Sequence, residues 1–384
     1  MLSMTLGAMP FFFLGAFGPD IQEALRLSEV GFGTIVAGYF AVAVLFSFPA
    51  GALGERLGPR WSMSIAAVGV AASLTGIALS RHGLHLACAV LAGGLANTLT
   101  QPGGNMALAE ALPPERHGLA FALKQSTIPV AAIVGGFAVP TAGAVFGWRW
   151  TIAAASLLGI AVVAAARRAG AASTGRRAAP RPPGSLRRLA PLTAAGVCAA
   201  AATTGMVAFF VDSGMRAGLD GGTAAIWFAV GGIGGIAGRM LAGWISDRSQ
   251  QDISRLLVGF WALGSLGFVG LAVADSWPVR IAATFPTFLC GWGWNGMFHH
   301  ATVQWSRHAP SWGTGVTQTG LSVGGSIGPI VYGAILGAAS FRVAWLSCAT
   351  LSAAAACLVW AGGRAAASSG ARAEAHHAGG RLAR

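Results

Sequence analysis

The sequence has 384 residues, of which 54% are hydrophobic and only 10% are charged, and its formal net charge is +13. Soluble domains carry about 25% charged residues, so a soluble chain of this composition could not cover its surface with polar groups. The mean hydropathy of +0.64 therefore indicates an integral membrane protein. The arginines lie beside apolar stretches, in one linker and in a tail, so we interpret the positive charge as membrane topology and not as nucleic-acid binding.

Twelve apolar stretches are each long enough to cross a bilayer, which takes about 20 residues. They lie at 2–19, 33–53, 61–80, 84–109, 118–145, 149–167, 190–213, 223–245, 255–274, 279–305, 313–338 and 342–362. The sequence therefore predicts an all-α integral membrane protein with twelve transmembrane helices. Four of the stretches (84–109, 118–145, 279–305 and 313–338) exceed what a bilayer requires, and we expect those helices to tilt or bend.

Nothing in the sequence indicates an enzyme. The five cysteines lie singly in apolar stretches, which argues against a disulfide framework and a zinc site. Neither a nucleophile–base pair nor a metal-ligand cluster is evident, so we expect no cofactor and no metal. The glycine-rich runs 231–238 and 324–328 lie inside predicted spans, where glycine suits close helix approach and not nucleotide binding.

A short charged segment separates the second and third spans. It reads Gly51-Ala52-Leu53-Gly54-Glu55-Arg56-Leu57-Gly58-Pro59-Arg60, and a related segment, Gly243-Trp244-Ile245-Ser246-Asp247-Arg248, follows the eighth span. The offset is 192 residues (243 − 51), half of the 384 in the chain. At the same offset or one residue more, five other pairs recur: Asp20 with Asp212, Ser28 with Asp220, Gln125 with Gln318, Gly135 with Gly328, and Arg149 with Arg342. The chain is therefore predicted to consist of two six-helix halves, and Ser28 and Asp220 are expected to cap equivalent helices.

The first segment resembles the loop between helices 2 and 3 of the major facilitator superfamily, G-x-L-a-D-r-x-G-r-k. Gly51, Leu53, Arg56, Gly58 and Arg60 match, whereas Glu55 replaces an aspartate and Pro59 a basic residue. The resemblance covers the chain apart from its linker and tail. It implies a secondary transporter whose halves are related by a pseudo-twofold axis and enclose a substrate near the bilayer midplane.

Two shorter segments resemble, within this superfamily, the cyanate and nitroimidazole transporters. They are Pro19-Asp20-Ile21-Gln22 after helix 1 and Gly291-Trp292-Gly293-Trp294-Asn295-Gly296 in helix 10.

The domain organisation follows from the spans. We predict an N-terminal half at 1–167, a cytoplasmic linker at 168–189, a C-terminal half at 190–363 and a disordered cytoplasmic tail at 364–384. With the segment Gly51–Arg60 in the cytoplasm, most arginines, Arg239 among them, fall on the cytoplasmic side. The opposite side holds Arg26, Arg81, Arg149, Arg216, Arg280 and Arg342. We expect a monomeric, multi-pass protein of the plasma (inner) membrane with both termini in the cytoplasm, and a natural start upstream of Met1.

Polar residues within spans are expensive in a bilayer and are candidates for function. Lys124, the only lysine, lies about 9 Å inside helix 5. It is either a cavity cation, which binds an anionic substrate or exchanges a proton, or a lysine that snorkels to the interface. Gln125 follows it, and Gln318 is the counterpart in the second half. We expect these two glutamines to face each other across the pseudo-twofold axis.

Helices 4 and 10 supply further candidates. Asn97, Gln101 and Asn105 are spaced four residues apart and form one polar stripe, which either lines the cavity or makes interhelical hydrogen bonds. In helix 10, Trp294 and Asn295 offer an aromatic wall and an amide group to a small substrate. His299 either titrates near neutral pH or is packed and hydrogen-bonded.

The charged segments are assigned a gating role by the resemblance. It implies that these residues form a network that closes the cytoplasmic side when the outer side is open: Gly51, Glu55, Arg56, Gly58, Arg60, Gly243, Asp247 and Arg248. The alternative is that the charges only anchor the topology.

The predicted function is alternating-access transport of a small organic solute, an anion or a compact polar molecule. A solute or proton gradient would drive it, although carboxylates are scarce in the spans. One alternative is proton-coupled efflux of drugs or metabolites, and another is a non-transporting membrane sensor on the same fold. The expected partners are the solute, the lipid bilayer and a coupling proton, with no nucleic acid.

Overall fold

The computed structural model describes residues 2–100, 117–168, 185–248, 253–306 and 310–382, and within these ranges the regular structure is helical. The N-terminal half contains α1 (Leu2–Ala16), α2 (Gly18–Leu25), α3 (Glu29–Ala78), α4 (Gly83–Asn97), α5 (His117–Ala138), a π-helical segment (Val139–Gly143), α6 (Ala144–Ala155) and α7 (Leu158–Arg168). The C-terminal half contains α8 (Ser185–Arg216), α9 (Gly221–Arg248), α10 (Ile253–Val273), α11 (Trp277–Leu289), α12 (Asn295–Trp305), α13 (Pro310–Ala338) and α14 (Phe341–Leu382).

In the described part of the chain, eight helical stretches are long and apolar enough to cross a membrane, and the α1–α2 pair, bent by 68°, makes a ninth. Three further predicted spans are interrupted or continue beyond the described ranges. Leu123–Arg168 forms one 46-residue stretch that Gly147 divides, α11 and α12 are two parts of one predicted span, and the fourth span runs past Thr100. The all-α fold is confirmed, and the predicted twelve spans are consistent with it.

The helix interruptions have local causes. Gly58 and Gly147 have φ values of 71° and 76°, a left-handed conformation that glycine adopts without steric cost. The charged segment at 51–60 is thus mostly helical, and the chain changes direction at Gly58 alone. Pro140 lies in the π-helical segment, where its missing N–H removes a helical hydrogen bond.

Both predicted helix caps are confirmed. The Ser28 hydroxyl accepts a hydrogen bond from the Gly31 amide (3.1 Å) at the start of α3, and the Asp220 carboxylate accepts one from the Thr223 amide (3.0 Å) at the start of α9. Hydrogen bonds from Thr223 lower the pKa of Asp220. These caps satisfy amide groups that have no partner inside the helix.

The repeat appears in the packing of equivalent glycines. A Cβ atom on Gly135 would meet Phe12 and Ala16 of α1, whereas one on Gly328 would meet Ala201 and Thr204 of α8. Each glycine therefore allows its helix to pack closely against the first helix of its own half. These equivalent glycines thus make equivalent contacts in the two halves, as pseudo-twofold symmetry predicts.

Among the described residues, three of the helix pairs that join the halves approach closely at glycines. Gly33 of α3 meets the Pro329 carbonyl group of α13, Gly136 of α5 meets Ala225 of α9, and Gly15 of α1 meets Val207 of α8. These contacts place α1, α3, α5, α8, α9 and α13 along the boundary between the halves.

The outer surface of the bundle is apolar. Large side chains such as Leu84 (73% exposed), Val145 (74%) and Trp150 (74%) point away from the protein. Such exposure is unfavourable in water and suits contact with lipid chains.

The described backbone differs from the predicted domain boundaries at two places. Helix α8 begins at Ser185, inside the predicted linker 168–189, of which residues 169–184 lie outside the described ranges. Helix α14 continues to Leu382, whereas the tail from 364 was predicted to be disordered. Alanine is abundant in the tail and has the highest helix propensity.

Candidate functional site

Lys124 is buried in the membrane-spanning part of α5. Its exposure is 4%, and the Thr127 hydroxyl donates to its backbone carbonyl group at 2.6 Å. The Thr5 hydroxyl of α1 in turn donates to the Thr127 carbonyl group at 3.3 Å, which ties this turn of α5 to the first helix. Burial favours the interpretation of Lys124 as an interior cation over that of a snorkelling side chain.

His299 of α12 lies close enough to Lys124 for their charges to interact, and α5 and α12 are in contact. The two helices belong to different halves, so a predicted site residue of one half lies within electrostatic range of a predicted site residue of the other. The Oε1 atom of Gln125 is buried and has no hydrogen-bond donor among the described residues. Gln318 is half-buried in α13, and its position opposite Gln125 stays a prediction.

Asn97 takes part in interhelical hydrogen bonding. The Tyr39 side chain hydrogen-bonds to that of Asn97, and the Tyr39 hydroxyl donates to the backbone carbonyl group of Gly7. These contacts join α1, α3 and α4 inside the N-terminal half. Gln101 and Asn105, the rest of the predicted stripe, lie outside the described residues.

The tryptophans of the predicted tenth span have different surroundings. Trp294 is 1% exposed, packs edge-on against Trp261 and donates its indole N–H to the Gly291 carbonyl group at 2.8 Å. It therefore belongs to the core of the C-terminal half, and Asn295 is half-buried beside it. Trp292 reaches the boundary between the halves, since its ring centroid lies 5.6 Å from that of Phe12 in α1.

Arg239 does not lie at the cytoplasmic surface, where the distribution of arginines predicts it. It lies inside the membrane-spanning stretch Gly221–Ile245 and is only 4% exposed. Its guanidinium carbon is 5.2 Å from the centroid of the Trp292 ring. The sequence does indicate the membrane-spanning position, because residue 239 falls within the predicted span 223–245. The cytoplasmic placement followed only from the distribution of arginines between the two sides of the membrane.

The gating segments are only partly described. Gly51, Glu55, Arg56, Asp247 and Arg248 lie in helical backbone, but their side-chain positions are outside the described part of the structure. Arg60 is exposed near Trp61, with 6.0 Å between the guanidinium carbon and the ring centroid, and Gly243 has open space around it. The predicted charge network stays a prediction.

An ion pair that the sequence does not predict joins the halves at the other end of the bundle. Arg216 of α8 donates to Glu29 of α3 at 2.8 Å and to Asp212, one turn earlier in α8, at 3.2 Å. Only the i,i+4 pair of Asp212 and Arg216 could have been read from the sequence. We call the end of the bundle that carries this pair the Arg216 end.

A cavity of 410 Å³ also lies at the Arg216 end. Asp20 and Pro140 line it from the N-terminal half, and Met215 and Asp220 from the C-terminal half. The cavity lies between the two halves, and Lys124 is not among the residues that line it.

A family model for the Major Facilitator Superfamily matches residues 1–313. The chain belongs to this superfamily. The expected fold is thereby confirmed, and membrane transport is the activity that the superfamily supports.

Relatives and solved structures agree with this assignment. The chain is 28% identical to a chloramphenicol resistance protein of Streptomyces lividans over 351 residues, 85% of each sequence. Its fold resembles that of a bacterial homologue of the lysosomal transporter Spinster in an inward-facing, occupied conformation (TM-score 0.76, 15% identity, 94% and 95% of the chains). It also resembles the nucleoside transporter NupG (0.72, 16%, 94% and 100%) and the peptide transporter POT (0.74, 12%, 94% and 92%). The resemblance to cyanate and nitroimidazole transporters stays a prediction.

Proposed function

We propose that this member of the Major Facilitator Superfamily carries a small organic anion across the plasma membrane by alternating access. The observation that supports an anionic substrate is the burial of Lys124, which is 4% exposed in a membrane-spanning helix and lies within electrostatic range of His299 in the opposite half. A buried ammonium group is costly in a bilayer and marks substrate or ion pathways. An anion bound at the boundary between the halves would contact both of them.

The proposed conformation is inward-facing, with the Arg216 end outside. Arg216 and Glu29 hold the halves together there, and the contact between Gly33 and Pro329 lies one turn further in. When the halves rock apart at this end, Arg216 loses Glu29 but retains Asp212 in its own helix. The cation is thus paired in both states, which keeps the free-energy difference between them small.

Coupling to a gradient would use a titratable group near the substrate. Among the described residues, His299 is a titratable side chain within electrostatic range of Lys124. Exchange of a proton there would change the charge that the anion meets. The proposal therefore includes a proton as the coupling ion.

Ligand-dependent thermal unfolding of the detergent-purified protein tests whether the protein binds an anion through Lys124. A ligand that binds the folded state at 100 times its Kd stabilises it by about 2.7 kcal/mol. We expect a small carboxylate to raise Tm in the wild-type protein and in Arg81→Gln, an exposed control. The rise should be lost in Lys124→Gln, and equal shifts in all three proteins would contradict the role of Lys124.

Efflux of a drug is the second candidate function, favoured by the relative from Streptomyces lividans. Trp292 and Phe12, which meet at the boundary between the halves, would suit an aromatic compound. Expression in a susceptible strain should then raise the inhibitory concentration of chloramphenicol. Resistance together with no stabilisation by any carboxylate would favour this function over anion transport.

A further inference from the structure

Arg239 is a buried cation whose hydrogen bonds are incomplete. Its Nε and Nη1 atoms have no acceptor among the described residues, and its exposure is 4%. A guanidinium group has five N–H donors, and leaving them unmatched in a low-dielectric interior is expensive. The contact with Trp292 is a cation–π interaction, which supplies no hydrogen-bond acceptor.

The packing of α9 against α5 sets the depth of Arg239. Gly136 of α5 faces Ala225 of α9, and Pro129, seven residues earlier, faces Gly232, seven residues later. The helices are therefore antiparallel, and a further seven residues bring Arg239 level with residue 122. That position is two residues, about 3 Å along the axis, from Lys124.

Trp292 adds an apolar surface beside Arg239. Its ring lies 5.2 Å from the Arg239 guanidinium carbon and 5.6 Å from the ring of Phe12. Phe12 belongs to the N-terminal half, so the aromatic surface also crosses the boundary. Cations from both halves and an aromatic surface shared between them suit a solute with one anionic and one apolar part.

We propose that Arg239 and Lys124 together bind the carboxylate group of an organic anion whose apolar body packs on Trp292 and Phe12. The inference rests on the proposed anion transport and adds a second binding residue and a ligand class. Arg239 can donate charge-assisted hydrogen bonds to a carboxylate from Nε or Nη1, the donors that lack acceptors among the described residues, while Lys124 supplies a point charge from the other half.

Binding measurements with aromatic carboxylates test this. The probes are benzoate, salicylate, phenylacetate and phthalate, with benzamide as the neutral counterpart of benzoate, titrated into the full-length protein in detergent. We expect at least one carboxylate to bind the wild-type protein and Arg239→Met to weaken it by roughly thirtyfold or more. Arg239→Lys should give an intermediate affinity, and benzamide should bind weakly to every protein.

Arg280→Met is the matched control. Arg280 also lies over a tryptophan, Trp277, at 5.5 Å, but it donates to the Ala274 carbonyl group at 2.9 Å. We expect this variant to bind the carboxylate as the wild-type protein does. The ligand-free Tm of Arg239→Met should equal or exceed that of the wild-type protein, because the variant removes a buried charge.

The possible outcomes separate this inference from the proposed function. If Lys124→Gln loses the carboxylate but Arg239→Met retains it, Arg239 is not a binding residue, although anion transport stands. If Arg239→Met lowers the ligand-free Tm and Arg239→Lys restores it without changing affinity, Arg239 is structural and the inference is wrong. If no carboxylate binds the wild-type protein, both the role of Arg239 in binding and the proposal of an anionic substrate are wrong.

Discussion

At the residue scale, single polar groups in an apolar chain carry most of the functional information. Lys124 could be singled out from the sequence because it is the only lysine and lies inside a span. Arg239 lies inside a span too, but it is one arginine among many, and charge counting assigned it to the membrane edge. Trp292 and Trp294 are the same residue type in the same segment, so the sequence does not distinguish them. Only the packing shows that Trp292 contacts the other half.

The single lysine allows a direct test of the site by chemical labelling. An amine-reactive acetylating reagent can modify only Lys124 and the α-amino group of the chain. We expect a bound carboxylate to slow acetylation of Lys124 at least about fivefold, because it occludes the ammonium group, and to leave the α-amino group unchanged. Mass spectrometry of the peptide that contains Lys124 measures this, and Lys124→Arg shows the background.

Equal acetylation with and without a carboxylate that is known to bind would place the ligand elsewhere. The α-amino group serves as an internal control for reagent concentration. This prediction concerns contact, and so it is independent of whether the solute is transported.

At the element scale, glycine determines how closely the helices approach. The sequence indicated close helix approach in the glycine-rich runs, and Gly135 and Gly328 are one of the pairs that recur at the repeat offset. It did not predict which glycines join the halves, because that depends on the partner helix. The break between α11 and α12 was anticipated only as a bend in a stretch that was too long.

Gly33 and Gly259 form a matched pair for testing this packing. A Cβ atom on Gly33 would overlap the Pro329 carbonyl group of the opposite half, whereas Gly259 has no neighbour within 4 Å. We expect Gly33→Ala to lower Tm, by an amount that corresponds to about 1–3 kcal/mol of overpacking. Gly259→Ala should raise stability by up to about 1 kcal/mol through helix propensity.

Thermal unfolding of the two variants measures the difference. Equal Tm values for Gly33→Ala and Gly259→Ala would show that the close contact between α3 and α13 does not exist in the folded protein.

At the scale of the whole molecule, two similar halves meet along α1, α3, α5, α8, α9 and α13, and an ion pair joins them at one end. The twofold organisation could be predicted from the sequence, since the offset of 192 or 193 residues recurs in several pairs. The ion pair between Glu29 and Arg216 could not, because the two residues are not equivalent in the repeat. The side chain of Arg216 is 49% exposed, so we assign the pair about 0.2–1 kcal/mol.

The most direct measurement is counterflow in proteoliposomes, with the carboxylate that stabilises the protein most strongly as the labelled solute. We expect saturable uptake by the wild-type protein and none by Lys124→Gln. Glu29→Gln should change the rate by up to about fivefold, the population shift that 1 kcal/mol produces. Glu23→Gln, an exposed substitution at the same end, should leave it unchanged. No uptake by a wild-type protein that binds the carboxylate would contradict the transport account and favour a sensor on the same fold.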